Sequence, residues 1–359
     1  MSRILLLVEL KGGNDGLNTV IPYADPLYRA LRPDIGLARE QVLQLDEQVG
    51  LHQKLEPLMA AWKARDLAIV QGVGYPEPNR SHFRSIEIWD TASSSSRTST
   101  EGWVARALGR AALPKDAGVD SIVIDTNALP MMGPGLRTIV MQDAKAFLGQ
   151  AQATKDDTLV DDAGNPALRH LLAVRREVSA AAASLRDKLQ GAPAPVQAYA
   201  DGPFGQELDL ATRIITSGVP VVAVKIGLVG FDTHAAQAPT HAALLGLLAD
   251  GLATFRHNML AAGRWDDVLV LTYSEFGRRV QQNASNGTDH GTAAPHFVLG
   301  GRVKGGLHGS YPSLADLQDG DLRYAVDFRD VYSDIARGCW AQSVSFGQRP
   351  VKPLDIVAS

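Results

Sequence analysis

The sequence predicts an α/β fold on an open sheet whose strands are covered on both faces. Three observations carry this reading. Val268–Tyr273 is an unbroken apolar, β-branched run of strand length, the pattern of a strand with no solvent face. Three further runs repeat it, at Ile4–Val8, Leu67–Val70 and Val219–Ile226. Each run then leads into polar chemistry: Ser274-Glu275 with Arg278-Arg279, Gly13-Asn14-Asp15, Arg80-Ser81-His82, and Asp232-Thr233-His234. Open α/β sheets gather ligands and catalysis outside the carboxyl ends of their strands. Four strands that deliver acids, hydroxyls and imidazoles from one end therefore predict a shared pocket.

Bulk properties narrow the class. A chain of 359 residues suffices for one large α/β domain or two smaller ones. The net charge of −4 leaves no basic footprint and argues against nucleic acid as the principal partner. The single cysteine, Cys339, rules out an intramolecular disulfide and, between Gly338 and Trp340, reads as a packing residue. No apolar stretch is long enough to span a bilayer. Only Met1-Ser2-Arg3 precedes the first strand, so the expectation is a cytosolic protein or one whose leader has been replaced.

In chain order, Ile4–Glu9 reads as a strand and Lys11–Gly16 as a tight turn. Asn14-Asp15-Gly16 fits a β-turn with a helix cap as well as it fits a ligand loop. Its glycines miss the dinucleotide spacing, which excludes a nicotinamide reading. Residues 23–46, interrupted by Pro26 and Pro33, read as irregular. Residues 51–64 read as a helix with Leu55, Leu58, Met59 and Trp62 on one face. After the second strand and a Gly/Pro loop, Phe83–Trp89 has helical character. Ser81 thus stands at a helix N-terminus, where N–H groups and the dipole favour anions. A serine there serves as a cap. With Arg80, His82 and Arg84 around it, it also suits a nucleophile attacking an anionic ester.

Gly102–Ala111 reads as a short helix, Ser121–Asp125 as a strand, and Pro166–Gln190 as a long amphipathic helix. Phe204–Thr216 is helical and stops at Gly218. Pro220–Ile226 is a core strand, Ala236–Ala261 a long helix, Pro295–Leu299 a strand and 327–340 a terminal helix. There is no internal repeat and no domain linker. The expected organisation is one domain over 1–359, with a lid or decorating segment at 126–200.

Asp15, Asp232, His234, Glu275, Asp289 and His290 form a mixed carboxylate and imidazole set. Such a set suits zinc, manganese or iron, whereas oxygen ligands alone suit magnesium or calcium. Two divalent ions ~3.5–4 Å apart would clamp the attacking and leaving oxygens of an in-line displacement. A metal-free rival is a triad of Ser81, His234 or His290, and a carboxylate. The sequence lacks the glycine-flanked nucleophile turn of the α/β-hydrolases. Arg80, Arg84, Arg278 and Arg279 fit phosphate or sulfate, whose oxyanion geometry arginine forks match.

The segments Lys11–Asn18, Asn79–Phe83, Phe231–His234, Ser274–Arg278 and Thr288–Gly291 resemble the bacterial domain-of-unknown-function 1501 family over nearly the whole chain. That family is similar to the alkaline phosphatase and sulfatase superfamily. The resemblance implies a three-layer α/β/α fold, alkaline phosphatase-like, with a central, mostly parallel sheet and a metal-dependent site at the strand ends. It implies Asp15 as the ligand of one metal, Ser81 as nucleophile, Asp232 and His234 as ligands of the other metal, and His290 as a late ligand. Where the superfamily carries Asp-His, this chain has Ser274-Glu275, which sets it apart at the second metal. The family's twin-arginine leader is not in this sequence, and a periplasmic location rests on the resemblance alone. The combined expectation is a metal-dependent hydrolase of phosphate or sulfate esters, small or polymer-borne. Arg80 or Arg84 would hold the equatorial oxygens, and His82 or His234 would protonate the leaving group. The alternative is a non-catalytic binding protein on the same fold with a degenerate metal site.

Overall fold

The computed structural model describes residues 3–109, 118–141, 183–347 and 349–358. Its centre is β1 (Ile4–Lys11), in a nine-stranded sheet. The order across it is β11 (Gly306–His308), β5 (Leu67–Gly74), β10 (Ala294–Leu299), β9 (Val268–Tyr273), β1, β8 (Ala223–Val229), β6 (Ser121–Val123) and β7 (Thr138–Val140). A further short strand, Val326–Asp327, also pairs with β5. β10 runs antiparallel to β5 and β9, and the other pairings of this sheet are parallel. Its arrangement is therefore the mixed, mostly parallel one expected, and β1, β5, β8 and β9 all end on the same side.

Alternation along β1 builds two cores, because successive strand side chains point to opposite faces. Ile4, Leu6, Val8 and Leu10 pack with Leu208, Ile214, Leu245, Leu248 and Phe255, which come from α5 (Pro203–Thr216) and α6 (Gln237–Ala261). Leu5 and Leu7 belong to the opposite core with Ile88, Trp89, Trp103, Tyr332 and Ile335. These come from α3 (His82–Thr91), α4 (Trp103–Leu108) and α7 (Phe328–Trp340). Helices thus cover both faces of the sheet. No helix among the described residues is long and apolar enough to cross a membrane.

Some local expectations change. Within the stretch read as irregular, α1 (Pro26–Leu31) forms because Asp25 accepts from Leu27 N–H at 2.9 Å and Pro26 sits in the first turn, where its fixed φ helps rather than hinders. Residues 51–64 are not one helix. β4 (Gly50–His52) ends there and joins β2 (Val20–Ile21) and β3 (Val42–Gln44) in a small sheet. A 3₁₀ turn at Gln53–Leu58 containing Pro57 then precedes the short α2 (Met59–Lys63); proline disrupts α-geometry in the turn before it. Residues 138–140 of the supposed decorating segment form the edge strand β7 of the main sheet. Residues 183–190 are helical, and the rest of the long helix expected at 166–190 lies outside the described residues.

A buried charge network crosses the second core. Lys225 Nζ lies 2.7 Å from Glu9 Oε2 and is also paired with Asp125. Tyr273 donates its hydroxyl to Asp90 at 2.9 Å, and the Asn127 amide donates to the same carboxylate at 2.6 Å. Burial, then the nearby Glu9 charge, pushes Asp90 up to about 7. Its folded form thus holds a proton that the unfolded chain gives up near pH 4. This contribution to stability is full below that pH and is lost as pH rises through 7. Urea melts at pH 5 and pH 8 are expected to show a loss on the order of a few kcal/mol that Asp90→Asn flattens, whatever the amide costs in absolute terms. Equal pH slopes for the two proteins would refute the assignment.

Candidate metal centre

The loops beyond β1, β5, β8 and β9 meet at one end of the sheet. Gly12 and Gly13 turn the chain out of β1 with φ of 114° and 83°. A Cβ at Gly12 would sit 2.3 Å from Asp232 N, and one at Gly13 2.4 Å from the Phe276 ring, so only glycine admits this approach. Arg278, buried, fastens the junction. Its Nε donates to Gly13 O (2.7 Å) and its Nη1 to Thr288 O (2.9 Å). Its Nη2 reaches Phe231 O (2.9 Å), Gly12 O and Asp232 Oδ1 (2.6 Å). Nε–H, both Nη2 hydrogens and one Nη1–H, four of the five donors of the fork, are thereby engaged within the protein.

Three imidazoles surround Asp232. His290 Nε2 is 3.2 Å and His234 Nε2 3.0 Å from Asp232 Oδ1, and His82 Nε2 is 3.5 Å from Asp232 Oδ2. The His234 and His290 Nε2 atoms are 3.0 Å apart. Each ring is held from behind through Nδ1: His82 by Glu275 Oε1 at 2.9 Å, His290 by the Arg80 carbonyl at 2.8 Å, and His234 by Asp289 Oδ1 at 3.3 Å. These partners accept, so each Nδ1 donates and each neutral ring keeps its Nε2 lone pair for the pocket. Phe276, buried, lies 4.4 Å from the His290 ring and 4.9 Å from that of His82, and fixes their tilt. His82, Asp232 and His290 have ligand atoms within 4.8 Å of one another and can hold a metal ion; they are the one such group among the described residues.

The electrostatics agree with that geometry at Asp232 and His290. Burial pushes Asp232 up, but the Arg278 guanidinium beside it prevails and holds the carboxyl below its usual range. The hydrogen bond that His82 donates to Glu275 raises the His82 pKa and favours its protonated form, while burial lowers His290 and favours its neutral, ligating form.

Of the carboxylates expected to ligate, Asp232 faces the pocket and the other three stand behind it. Glu275, buried, accepts from Gly12 N–H (2.8 Å) and from His82. Asp289 accepts from Asn283 (3.2 Å) and from His234. Asp15 is fully buried, paired with Arg32 at 2.6 Å, bound by Gln237 and capping the turn at Leu17 N–H. Burial raises its pKa, and Arg32 overrides this and holds it low. Arg32 was not foreseen, because it lies in a stretch without periodicity. His82, expected as an acid, stands at a ligand position.

Ser81 occupies the N-cap position of α3, yet its side chain makes no capping hydrogen bond, and the residue is exposed. Arg80 turns its guanidinium to Asp321. Arg84 points away from the histidines, donating to the carbonyls of Ser94, Ser95 and Arg97.

Among solved structures, the chain is similar to the lipoteichoic acid synthase LtaP from Listeria monocytogenes at 10% identity, covering 96% of this chain and 74% of that one, with a TM-score of 0.41. The C-terminal periplasmic domain of EcEptC from Escherichia coli matches at 11% identity over 99% of this chain and 86% of that one, TM-score 0.41. A protein in the alkaline phosphatase superfamily from Vibrio parahaemolyticus matches at 12% identity over 84% and 60%, TM-score 0.36. No curated protein matches the chain. Residues 36–339 match the family described as "Protein of unknown function (DUF1501)", and the chain belongs to that family.

Proposed function

We propose that the protein is a single-metal hydrolase of phosphate or sulfate esters with Ser81 as its nucleophile. The observation that carries the proposal is the convergence of three Nε2 atoms on Asp232, each ring oriented by an acceptor at Nδ1. The donor set is nitrogen-rich, which favours zinc. Ligands ~2.0–2.1 Å from a tetrahedral zinc lie ~3.3 Å apart, and the separations of 3.2 and 3.5 Å to Asp232 bracket this. His82, Asp232 and His290 would hold the ion, which when bound supplies Lewis-acid stabilisation and lowers the pKa of an adjacent oxygen.

Ser81 has a hydroxyl that capping does not consume and stands between Arg80, whose carbonyl orients His290, and His82. Its Oγ gives its proton to the Nε2 of His234, which Asp289 orients, and bonds to phosphorus or sulfur, and the same imidazole passes that proton to the departing ester oxygen. Water then releases the anion and restores the serine. The Arg80 side chain borders a cavity of about 710 Å³ lined by Tyr75, Pro78, Thr292, Arg323 and Tyr324, which takes the organic part of the ester.

Metal analysis with a panel of aryl phosphates and sulfates tests this. The expectation is one equivalent of metal, chelator-sensitive turnover, and a loss of roughly 10³-fold or more in Ser81→Ala with metal content unchanged. Full activity in Ser81→Ala would remove the serine from the mechanism. Because Glu275 and Asp289 are committed to the imidazoles, a non-catalytic binding protein is the second reading. One bound metal with no turnover on any ester would select it.

A further inference from the structure

Beyond the last residue of α3, a cavity of about 600 Å³ is lined by Arg97, Arg106 and Arg329 with the hydroxyl residues Ser93, Ser94 and Ser96, and by no carboxylate. Its cations are unequally satisfied. Arg329 forks onto Asp327 at 2.8 and 2.7 Å, and that carboxylate also serves Arg349. Arg106 donates to the Thr91 carbonyl and lies 5.4 Å over the Phe346 ring. The exposed Arg97 guanidinium makes no hydrogen bond or ion pair among the described residues. Ser93 Oγ is buried without a hydrogen-bond partner there, which costs free energy unless a ligand or water supplies one.

Arg84 pre-forms this loop. By taking the carbonyls of Ser94, Ser95 and Arg97 at 2.7, 3.3 and 2.6 Å, it occupies the loop's acceptors and leaves donors and positive charge in excess. Arginine forks with hydroxyl donors match tetrahedral oxyanions. We infer that this cavity is a second anion site, for a phosphate or sulfate group, distinct from the metal centre. Its lining shares no residue with the metal centre. Such a site takes either a free anion bound apart from the reaction or a second charged group on a polymer.

Calorimetric titration of the chelator-treated full chain with inorganic phosphate, inorganic sulfate and long-chain polyphosphate tests the site without the metal. Arg97→Glu is expected to weaken binding at least tenfold, and Arg97→Lys to keep most of it. Ser93→Ala, which removes a hydroxyl with no internal partner, is expected to weaken binding while the protein stays folded. Tighter binding of polyphosphate than of phosphate, lost in Arg97→Glu, assigns the site to a polymer; equal binding assigns it to the free anion. Failure of the wild-type chain to bind any of the three, or unchanged affinity in Arg97→Glu, overturns the inference. Either result is independent of turnover at Ser81.

Discussion

Asp232→Ala is expected to leave a folded protein with metal affinity reduced more than ~100-fold and ester hydrolysis abolished. Asp232 is the one side chain that all three imidazole Nε2 atoms share, at 3.0 to 3.5 Å. Its loss leaves neutral rings with no anion to balance a cation. The fold itself survives, because Arg278 retains the carbonyls of Gly12, Gly13, Phe231 and Thr288 and forfeits one charge-assisted bond, about 2 kcal/mol. Metal analysis beside a thermal melt separates the two effects. Wild-type metal content in the folded variant would move the cation elsewhere and with it the mechanism.

Lys225→Met is expected to be the most destabilising single change in the core, by roughly 3–5 kcal/mol. The lysine is wholly buried, with Glu9 and Asp125 almost so. Desolvation lowers its pKa, but those carboxylates outweigh burial and hold it raised, so it stays charged. A methionine fills similar volume but strands the buried Glu9 carboxylate, while Asp125 keeps Lys11 at 2.5 Å. Adding Glu9→Gln is expected to recover part of the loss, since removing both halves of a buried pair costs less than removing one. Denaturant titration reads this directly, and a loss below about 1 kcal/mol in Lys225→Met would show the network to be well hydrated.

Where hydrophobic period and length agreed, the fold was legible. Val268–Tyr273 is strand β9, and the helices at 203–216, 237–261 and 328–340 lie within a residue or so of their predicted spans. The direction of β10 was not legible, since an apolar run of that length reads alike in either sense. Nor was α1, where a proline taken for a breaker stands in the first helical turn. For the candidate site, which loops converge could be read from strand ends followed by polar residues. Individual roles could not be read so. A carboxylate behind an imidazole and one in front of it have the same sequence signature. Glu275 and Asp232 are told apart only by the orientation of the His82 ring, which packing against Phe276, the apolar residue within the Ser274–Arg278 segment, helps to set.

The grip of Arg278 on its surroundings sets where the loops can change in sequence. Four of the five groups it binds are peptide oxygens, which every amino acid supplies. At Phe231 and Thr288 the arginine therefore needs the backbone and not the side chain, whereas Gly12 and Gly13 are held to glycine by the close approach of Asp232 and Phe276. The arginine has no such latitude: lysine brings three donors on one nitrogen and no planar fork to reach several loops together.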